Sequence, residues 1–268
     1  MSENIDFRVD YNKFKVMDEF NTDELKYPLI LSIPHCGTVF PEEFLRAVRH
    51  DVMTLRKNED ILVYDLLEPA IRDGGIAAIK LNVSRSFIDV NRAKVELDPN
   101  MFFDYPREDI GLNQQRSRYG LGIIHKVTAD SRPIYAGRIS YKEAEERIKN
   151  VYDVYHGRLK ELIARTIDKF GFCLVLDCHS MPSKICSIIS ESPRIDYCLG
   201  NLFEQSCPNK ISFFVENELA KREYYVAKNR PYSGAYITFN YCEPRKQAHT
   251  LQLSLIHISE PTRQAEIS

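Results

Sequence analysis

Four features that mark common classes of protein are missing from this sequence of 268 residues. No apolar run is long enough to cross a bilayer, and the polar, acidic start MSENIDFRVDYNKF is unlike a signal peptide. The formal net charge is −2, so no basic surface points to nucleic acid. The seven cysteines form no C-x-x-C pair, which argues against a disulfide framework and a cysteine zinc knuckle. These absences predict a cytoplasmic protein without membrane or nucleic-acid partners.

Short apolar runs alternate with helical patterns along the chain. The runs YPLILSIPH (27–35), IAAIKLNVS (76–84), FCLVLDC (172–178) and KICSIIS (184–190) are typical of buried strands. Helices are predicted after Pro41 and from Asp60 to Gly75, and residues 93–135 have an irregular, polar pattern. This alternation predicts an α/β fold: one three-layer domain with a mixed, mostly parallel sheet and helices on both faces.

The clearest helix is predicted between Ser140 and Gly171. Ser140 and Glu143 have the spacing of a capping box, and Gly171 is a typical helix stop. An apolar stripe between them predicts the face that packs on the sheet, and it consists of Ala144, Ile148, Val151, Tyr155, Leu159, Leu162 and Ile163.

Two histidines end apolar strands, and ligands of such sheets bind at the carboxyl ends of strands. His35 closes the first strand and His179 follows the third. If those strands are neighbours, the two imidazoles meet, and neutral imidazole is a standard zinc ligand. Glu59 and Asp60, at the head of a helix, both offer a third ligand. Cys36 and Cys178 flank the histidines but point to the opposite faces of their strands, so they rank below them.

The segment NVSRSFIDVNR (82–92) follows the second strand and carries two arginines. Arg85 and Arg92 lie around an Asp and an Asn, and arginine binds carboxylates in a bidentate manner. Two arginines near a metal indicate a substrate with one or more carboxylates. The structural alternative is a salt-bridge cluster with Asp89. Apolar residues between the charges favour a partly buried segment, in which an unpaired arginine is costly.

Seven motifs in a fixed order resemble the N-formylglutamate amidohydrolase family, from the first strand to about Gln252. They are SIPHCG, SRSFIDVNR, RPIYAG, VYDVYHGRL, DCHSMPS, IDYCLGNLFEQSC and NRPYSGAYI. The resemblance implies a phosphorylase/hydrolase-like fold similar to that of zinc carboxypeptidases. It also implies a zinc-dependent hydrolase that cleaves N-formyl-L-glutamate, a small acidic N-acyl amino acid, to formate and L-glutamate.

The resemblance also implies roles for individual residues. His35 and His179 are expected to bind one Zn²⁺, with Asp60, or its neighbour Glu59, as the third ligand. Carboxypeptidases have Glu three residues after the first histidine, where this chain has Thr38. Substrate-binding residues are expected to be Arg85, Asn91, Arg92 and Tyr232. Arg85 is also expected to stabilise the oxyanion, and Asp177 to orient His179. Ser180 lacks a G-x-S-x-G motif and is interpreted as a turn residue or a residue that supports the metal ligands, rather than a nucleophile.

The last sixteen residues, LSLIHISEPTRQAEIS (253–268), depart from the family pattern and resemble a translated transposase-type sequencing adapter. We therefore expect a C-terminally truncated family domain at 1–252 and a non-native tail at 253–268. The family pattern places Glu, a candidate general base, where this chain has Ser254. The chain is accordingly expected to bind zinc, to fold poorly and to hydrolyse little. Ser254→Glu alone is expected to restore little activity, because the helix expected after it is also missing.

Two alternatives stay open at this stage. The same metal site can serve another N-acyl acidic amino acid or a small peptide, since the pocket sets the function on a given fold. The missing Glu also allows a non-catalytic carboxylate-binding protein.

Overall fold

The apolar runs of the sequence form the centre of a seven-stranded sheet in the computed structural model, which describes residues 4–106, 119–183 and 195–257. The strands are β1 (Asn4–Ile5), β2 (Met17–Phe20), β3 (Leu29–Ile33), β4 (Ala77–Leu81), β5 (Arg138–Ile139), β6 (Cys173–Pro182), β7 (Tyr197–Gly200), β8 (Val226–Lys228) and β9 (Ala248–His257). The α-helices are α1 (Glu42–Ala47), α2 (Val52–Leu55), α3 (Val63–Arg72), α4 (Tyr141–Arg147), α5 (Asp153–Phe170), α6 (Asn209–Ala220) and α7 (Tyr236–Asn240). Short 3₁₀ helices span Tyr11–Lys13, Arg56–Asn58, Pro99–Met101 and Pro244–Lys246.

The sheet has the order β2-β4-β3-β6-β9-β7-β8, and its four middle members β4, β3, β6 and β9 run parallel to one another. β2 is antiparallel to β4, β7 is antiparallel to β9, and β8 is parallel to β7. β1 and β5 form a separate parallel pair. The predicted mixed, mostly parallel sheet is confirmed. The predicted strand at 184–190 lies outside the described residues.

Apolar side chains cover both faces of this sheet, because neighbouring residues of a strand point to opposite sides. Ile30 and Val175 pack with Tyr155 and Leu159 of α5 in the larger core. Leu31 packs with Val63 and Ile71 of α3 on the other face. On that face α6 contributes Ile211 and Val215, which pack with Leu199 and Leu251. Helices on both faces are therefore confirmed.

The predicted long helix is a continuous helical segment with a π-helical turn, Ile148–Tyr152, between α4 and α5. It ends at Gly171, whose φ of 80° is left-handed, as expected of a helix stop. The predicted capping box is wrong. The Ser140 hydroxyl donates to Asp104 at 2.8 Å, and Glu143 binds Arg147 instead. Asp104 caps the helix by accepting from the Tyr141 N–H, because the preceding loop brings its carboxylate to the helix start.

β9 lies inside the sheet, between β6 and β7, and it continues beyond Gln252. Leu253 to His257 extend its pairing with Cys178 to Pro182 of β6. The antiparallel pairing with β7 includes Leu253, Ser254 and Leu255. The first five residues of the segment that departs from the family pattern therefore belong to this strand, and residues 258–268 lie outside the described part. That 253–268 form a non-native tail stays a prediction.

Two further expectations concern membrane spans and disulfide bonds. None of their helices has both the length and the apolar character needed to cross a membrane. All six cysteines that they include are free thiols.

Candidate functional site

The two histidines meet at one edge of the sheet. β3 and β6 are parallel neighbours with Ser32 opposite Asp177, so His35, which follows β3, lies beside His179. β6 continues to Pro182, so His179 lies within this strand and not after its end as predicted. The imidazole rings of His35 and His179 lie 4.8 Å apart between centroids. Asp60 joins them from the loop before α3, and its backbone N–H donates to the His35 carbonyl at 3.0 Å. All three residues are buried.

The three side chains have the arrangement of metal ligands. The Asp60 Oδ2 atom lies 3.4 Å from His35 Nδ1 and 2.9 Å from His179 Nδ1. One potential ligand atom from each residue lies within 4.8 Å of the other two. His35 Nδ1 is buried and has no hydrogen-bond partner among the described residues. The group can therefore bind a cation at the point where both Nδ1 atoms face Asp60.

Carboxylates lie on the far side of both imidazoles, as they commonly do in histidine metal sites. His35 Nε2 is 2.8 Å from Asp89 Oδ1, and His179 Nε2 is 3.1 Å from Asp177 Oδ2. A proton on His35 Nε2, donated to Asp89, leaves its Nδ1 free to bind a metal.

Of the two acidic candidates for a third ligand, Asp60 is grouped with the histidines and Glu59 is not. Glu59 Oε2 instead accepts from Arg56 at 2.9 Å. No cysteine of the described residues belongs to the metal-binding group, since Cys36 and Cys178 pack in the apolar cluster under α3.

Negative charge dominates this edge of the sheet. Burial alone would raise the pKa of Asp60, but the adjacent imidazoles of His179 and His35 lower it well below its ordinary value. Burial opposes the charge of His179, but Asp177 and Asp60 raise its pKa to about 10. Clustered carboxylates stabilise positive charge here, which a bound divalent cation also supplies.

Asp89 connects the histidines with the arginines and is fully buried. Besides contacting His35, its carboxylate accepts from Arg85 Nη2 at 2.7 Å and lies 3.2 Å from His125 Nε2. Burial would raise its pKa, but Arg85, His35 and Arg92 hold it well below the ordinary value. Sequence reasoning treated Asp89 as part of a salt-bridge cluster and missed its contact with His35. It gave no signal for His125, which lies in an irregular segment.

A cavity of about 240 Å³ opens beside the three ligand candidates. It is lined by His35, Asp60, Arg85, Asn91, Arg92, His179, Ser180, Tyr232, Gly234, Ala235, Gln252 and Ser254. Seven of the eight predicted site residues therefore border one cavity, and the eighth, Asp177, lies behind His179. The size suits a small ligand, since drug-sized molecules occupy pockets of roughly 300–1,000 Å³.

The polar residues around the cavity differ in how many hydrogen bonds they already make to other groups of the protein. The Asn91 amide donates to Asp177 at 3.0 Å and accepts from the Ile237 N–H at 2.7 Å. That Asn91 binds a substrate carboxylate stays a prediction. Arg92 donates to the Leu121 carbonyl at 2.9 Å. The Nε atom of Arg85 is buried without a hydrogen-bond partner among the described residues.

Ser180 and His156 hold neighbouring groups in place. Ser180 lies within β6 and not in a turn, and its hydroxyl donates to Asp60 Oδ1 at 3.1 Å, which fits a residue that supports a metal ligand rather than a nucleophile. His156 lies in α5, where Nε2 is 2.7 Å from the Val90 carbonyl and the ring stacks on Tyr241.

Gln252 and Ser254 come from β9 to the wall of the cavity. They pair in register with Asp177 and His179 of β6, so they share the face that carries those two residues. Gln252 Nε2 donates to the Ser254 hydroxyl at 3.0 Å. Ser254 therefore occupies a position beside His179 at which a longer acidic side chain would enter the cavity.

Comparisons with known proteins agree on one family. The sequence pattern of the N-formylglutamate amidohydrolase family matches residues 27–257. The chain is 26% identical over 246 residues to an N-formylglutamate deformylase of Pseudomonas aeruginosa, covering 90% of this chain and 84% of the relative. It is 24% identical over 233 residues to the deformylase of Pseudomonas putida, covering 86% of this chain and 80% of that one.

Solved structures give the same result. An N-formylglutamate amidohydrolase of Ralstonia eutropha superposes with a TM-score of 0.83 at 27% identity, covering 90% of this chain and 86% of that one. A gene product of Agrobacterium tumefaciens shares the fold, with a TM-score of 0.63 at 15% identity. It covers 97% of this chain and 91% of its own.

Proposed function

Because the chain belongs to the N-formylglutamate amidohydrolase family, we propose that it hydrolyses the amide of N-formyl-L-glutamate to formate and L-glutamate. The observation that carries the proposal is a cavity that unites a His-Asp-His group with two arginines. The two arginines suit a substrate with two carboxylates. The metal-binding group suits an amide carbonyl that must be polarised before water attacks it.

His35, Asp60 and His179 would hold one zinc ion, for which two imidazoles and a carboxylate are a common catalytic ligand set. A zinc ion at such a site acts as a Lewis acid and lowers the pKa of bound water toward about 7. Asp89 and Asp177 would fix the ring orientation of the two histidines through their Nε2 atoms.

The residues of the chain would bind and orient the substrate. Arg92 and Arg85 would bind its carboxylates, and Arg85 also reaches the reacting end, where it would stabilise negative charge on the carbonyl oxygen. Asn91 would keep Asp177 and His179 in place. Tyr232 would close the substrate side of the cavity.

Proton transfer would be the slow step of hydrolysis at this site, because the site lacks a free carboxylate among the described residues that line the cavity. Of the described residues that line the cavity, Asp60 alone is a carboxylate, and it is engaged by the two histidines and Ser180. Ser254 cannot accept a proton as a carboxylate does, because its hydroxyl is far less basic. We therefore propose slow hydrolysis by this chain and substrate binding that does not depend on the missing base.

The proposal is tested by coupled detection of formate with N-formyl-L-glutamate as substrate. We expect slow formate release that a chelator abolishes and zinc restores. Full activity in a metal-free sample would disprove the metal requirement. A chain that neither binds N-formyl-L-glutamate nor releases formate from it would disprove the substrate assignment.

One other function is favoured by a specific observation. Ser254, in place of an acid, is compatible with a carboxylate-binding protein that does not turn its ligand over. Calorimetric binding of N-formyl-L-glutamate without any formate release would favour it. The same assays with other N-acyl acidic amino acids and small peptides would show which acyl group the site accepts.

A further inference from the structure

Gln252 has a buried side-chain amide at the cavity wall, and only the nitrogen atom of this amide has a hydrogen-bond partner in the protein. The residue is 4% exposed, and its Nε2 donates to the Ser254 hydroxyl. Its Oε1 atom has no hydrogen-bond partner among the described residues. A buried amide oxygen without a donor is costly, and native proteins normally pair such atoms with protein, water or ligand.

The position of Gln252 is fixed by its strand. β9 is hydrogen-bonded on both sides, to β6 and β7, and Gln252 is paired with Asp177 on one side and Gly200 on the other. The backbone therefore cannot move the side chain away from the cavity without breaking two ladders. This rigidity is what a residue that selects a ligand requires, since a preorganised partner loses little entropy on binding.

The polar groups of an N-acyl acidic amino acid can be matched with those of the cavity. Its carboxylates and its carbonyl oxygen are acceptors, and they suit Arg85, Arg92 and the cation-binding group. The amide nitrogen carries its single N–H donor, which needs an acceptor. Asp60 is already engaged by two histidines and Ser180, whereas the Gln252 carbonyl oxygen has no partner among the described residues and can accept from this N–H.

We propose that Gln252 recognises the nitrogen atom of the substrate: its Oε1 accepts a hydrogen bond from the amide N–H before cleavage and from the amine of L-glutamate afterwards. This inference rests on the proposed function, because it takes the ligand to be an acidic amino acid acylated at nitrogen. Gln252 would thereby select nitrogen-linked ligands over analogues that have the same carboxylates and no nitrogen. Sites built to hydrogen-bond a particular donor reject ligands that lack it.

Two ligands that are not hydrolysed provide the test. L-Glutamate has the amine, and glutarate has the same two carboxylates without it. Dissociation constants are measured by calorimetry for the zinc-loaded full chain and for two variants. In Gln252→Met a side chain of similar length loses the acceptor, and in Gln252→Glu the acceptor is kept.

The unaltered chain is expected to bind L-glutamate roughly 10- to 100-fold more tightly than glutarate, as is typical of a hydrogen bond that involves a charged group. Gln252→Met should reduce this ratio to within about threefold while leaving the affinity for glutarate nearly unchanged. Gln252→Glu keeps the acceptor and adds a negative charge that attracts the ammonium group, so it should keep the ratio at least as high as in the unaltered chain. Unchanged affinity for glutarate shows that the variant is folded and that its arginines still bind.

Different results overturn different claims. A Gln252→Met variant that still prefers L-glutamate to the same degree as the unaltered chain would overturn the role of Gln252. If the unaltered chain also releases formate, the proposed function would stand. A chain that binds neither N-formyl-L-glutamate nor L-glutamate would overturn the proposed function, and the role of Gln252 with it.

Discussion

At the scale of single residues, one carboxylate links the two halves of the site. Asp89 contacts His35 of the metal-binding group and Arg85 of the arginine pair, and it is completely buried. A buried carboxylate with several donors fixes the geometry of all of them, because removal of its charge leaves each donor unsatisfied. In the proposed site, the position of the metal and that of the substrate carboxylates would thus be set by the same side chain.

Asp89→Asn is expected to weaken zinc binding by about 10- to 100-fold, the usual effect of losing an acceptor behind a metal-binding histidine. The affinity for glutarate should fall as well, because Arg85 loses its charged partner. Zinc affinity is measured by competition with a chelating dye. Glu143→Gln is the matched control, since it also neutralises a buried carboxylate bound to an arginine, Arg147, away from the cavity. Equal zinc affinities in the unaltered chain and Asp89→Asn would contradict the linking role.

His156 makes folding sensitive to acid. Burial lowers the pKa of its imidazole from 6.5 to about 4. Between these values the unfolded chain binds a proton and the folded chain does not, so stability falls as the pH drops from about 6.5 to 4. This histidine should lower the free energy of unfolding by about 2 kcal/mol between pH 7 and pH 5. Urea titrations at both pH values check it, and His156→Gln should show a smaller loss. An equal loss in the variant would refute the assignment.

At the scale of elements, some of the site could be predicted because its residues follow recognisable strands. His35 and His179 were found since β3 and β6 are continuous apolar runs with a polar end. The choice between Asp60 and Glu59 could not be made from the sequence, because the turn before α3 decides which carboxylate faces the histidines. The capping box at Ser140 failed for a similar reason, since Asp104 reaches the helix start through tertiary structure. Local pattern predicts elements well, and it cannot predict partners that are distant in sequence.

Gly37 allows the loop after His35 to pack closely against the segment that follows β4. A Cβ atom at this position would lie 2.2 Å from the Val83 carbonyl oxygen, in the segment that follows β4. Neighbouring Val39 pairs with this segment through its N–H, which donates to the Asn82 carbonyl at 2.8 Å. The two backbones can approach this closely only without a side chain at residue 37.

Gly37→Ala is therefore expected to destabilise the fold by about 2 kcal/mol and to weaken zinc binding, since the loop must shift. Gly157→Ala is the matched control, because Gly157 lies in α5 and a Cβ atom there would have no contact within 4 Å. The control should gain about 0.5–1 kcal/mol from its better helix propensity. Urea unfolding and dye competition measure both variants. Zinc binding by Gly37→Ala as tight as that of the unaltered chain would argue against a role for the loop.

At the scale of the whole molecule, the cation-binding group joins parts of the fold that are distant in sequence. It combines the segment after β3, the middle of the sheet at β6 and the loop before α3. A ligand that binds only the folded state stabilises that state by mass action. Zinc at 100 times its dissociation constant should add about 2.7 kcal/mol, which corresponds to a rise in Tm of roughly 5–10 °C.

Differential scanning calorimetry with and without zinc tests this link. His35→Gln should abolish most of the shift, while Gly157→Ala should preserve it. A Tm of the unaltered chain that zinc does not change would contradict binding at this group.

The central position of β9 also bears on how the chain is made. β6 leaves the ribosome 75 residues before β9, since the two strands begin at Cys173 and Ala248. Until β9 arrives, both β6 and β7 expose backbone edges that later pair with it. Exposed edges of this kind promote association between nascent chains, and pairing across long sequence separations is slow. During synthesis the protein should therefore depend on chaperones until residue 257 has emerged, and the hydrolytic site, bordered by Gln252 and Ser254, can be completed only at that moment.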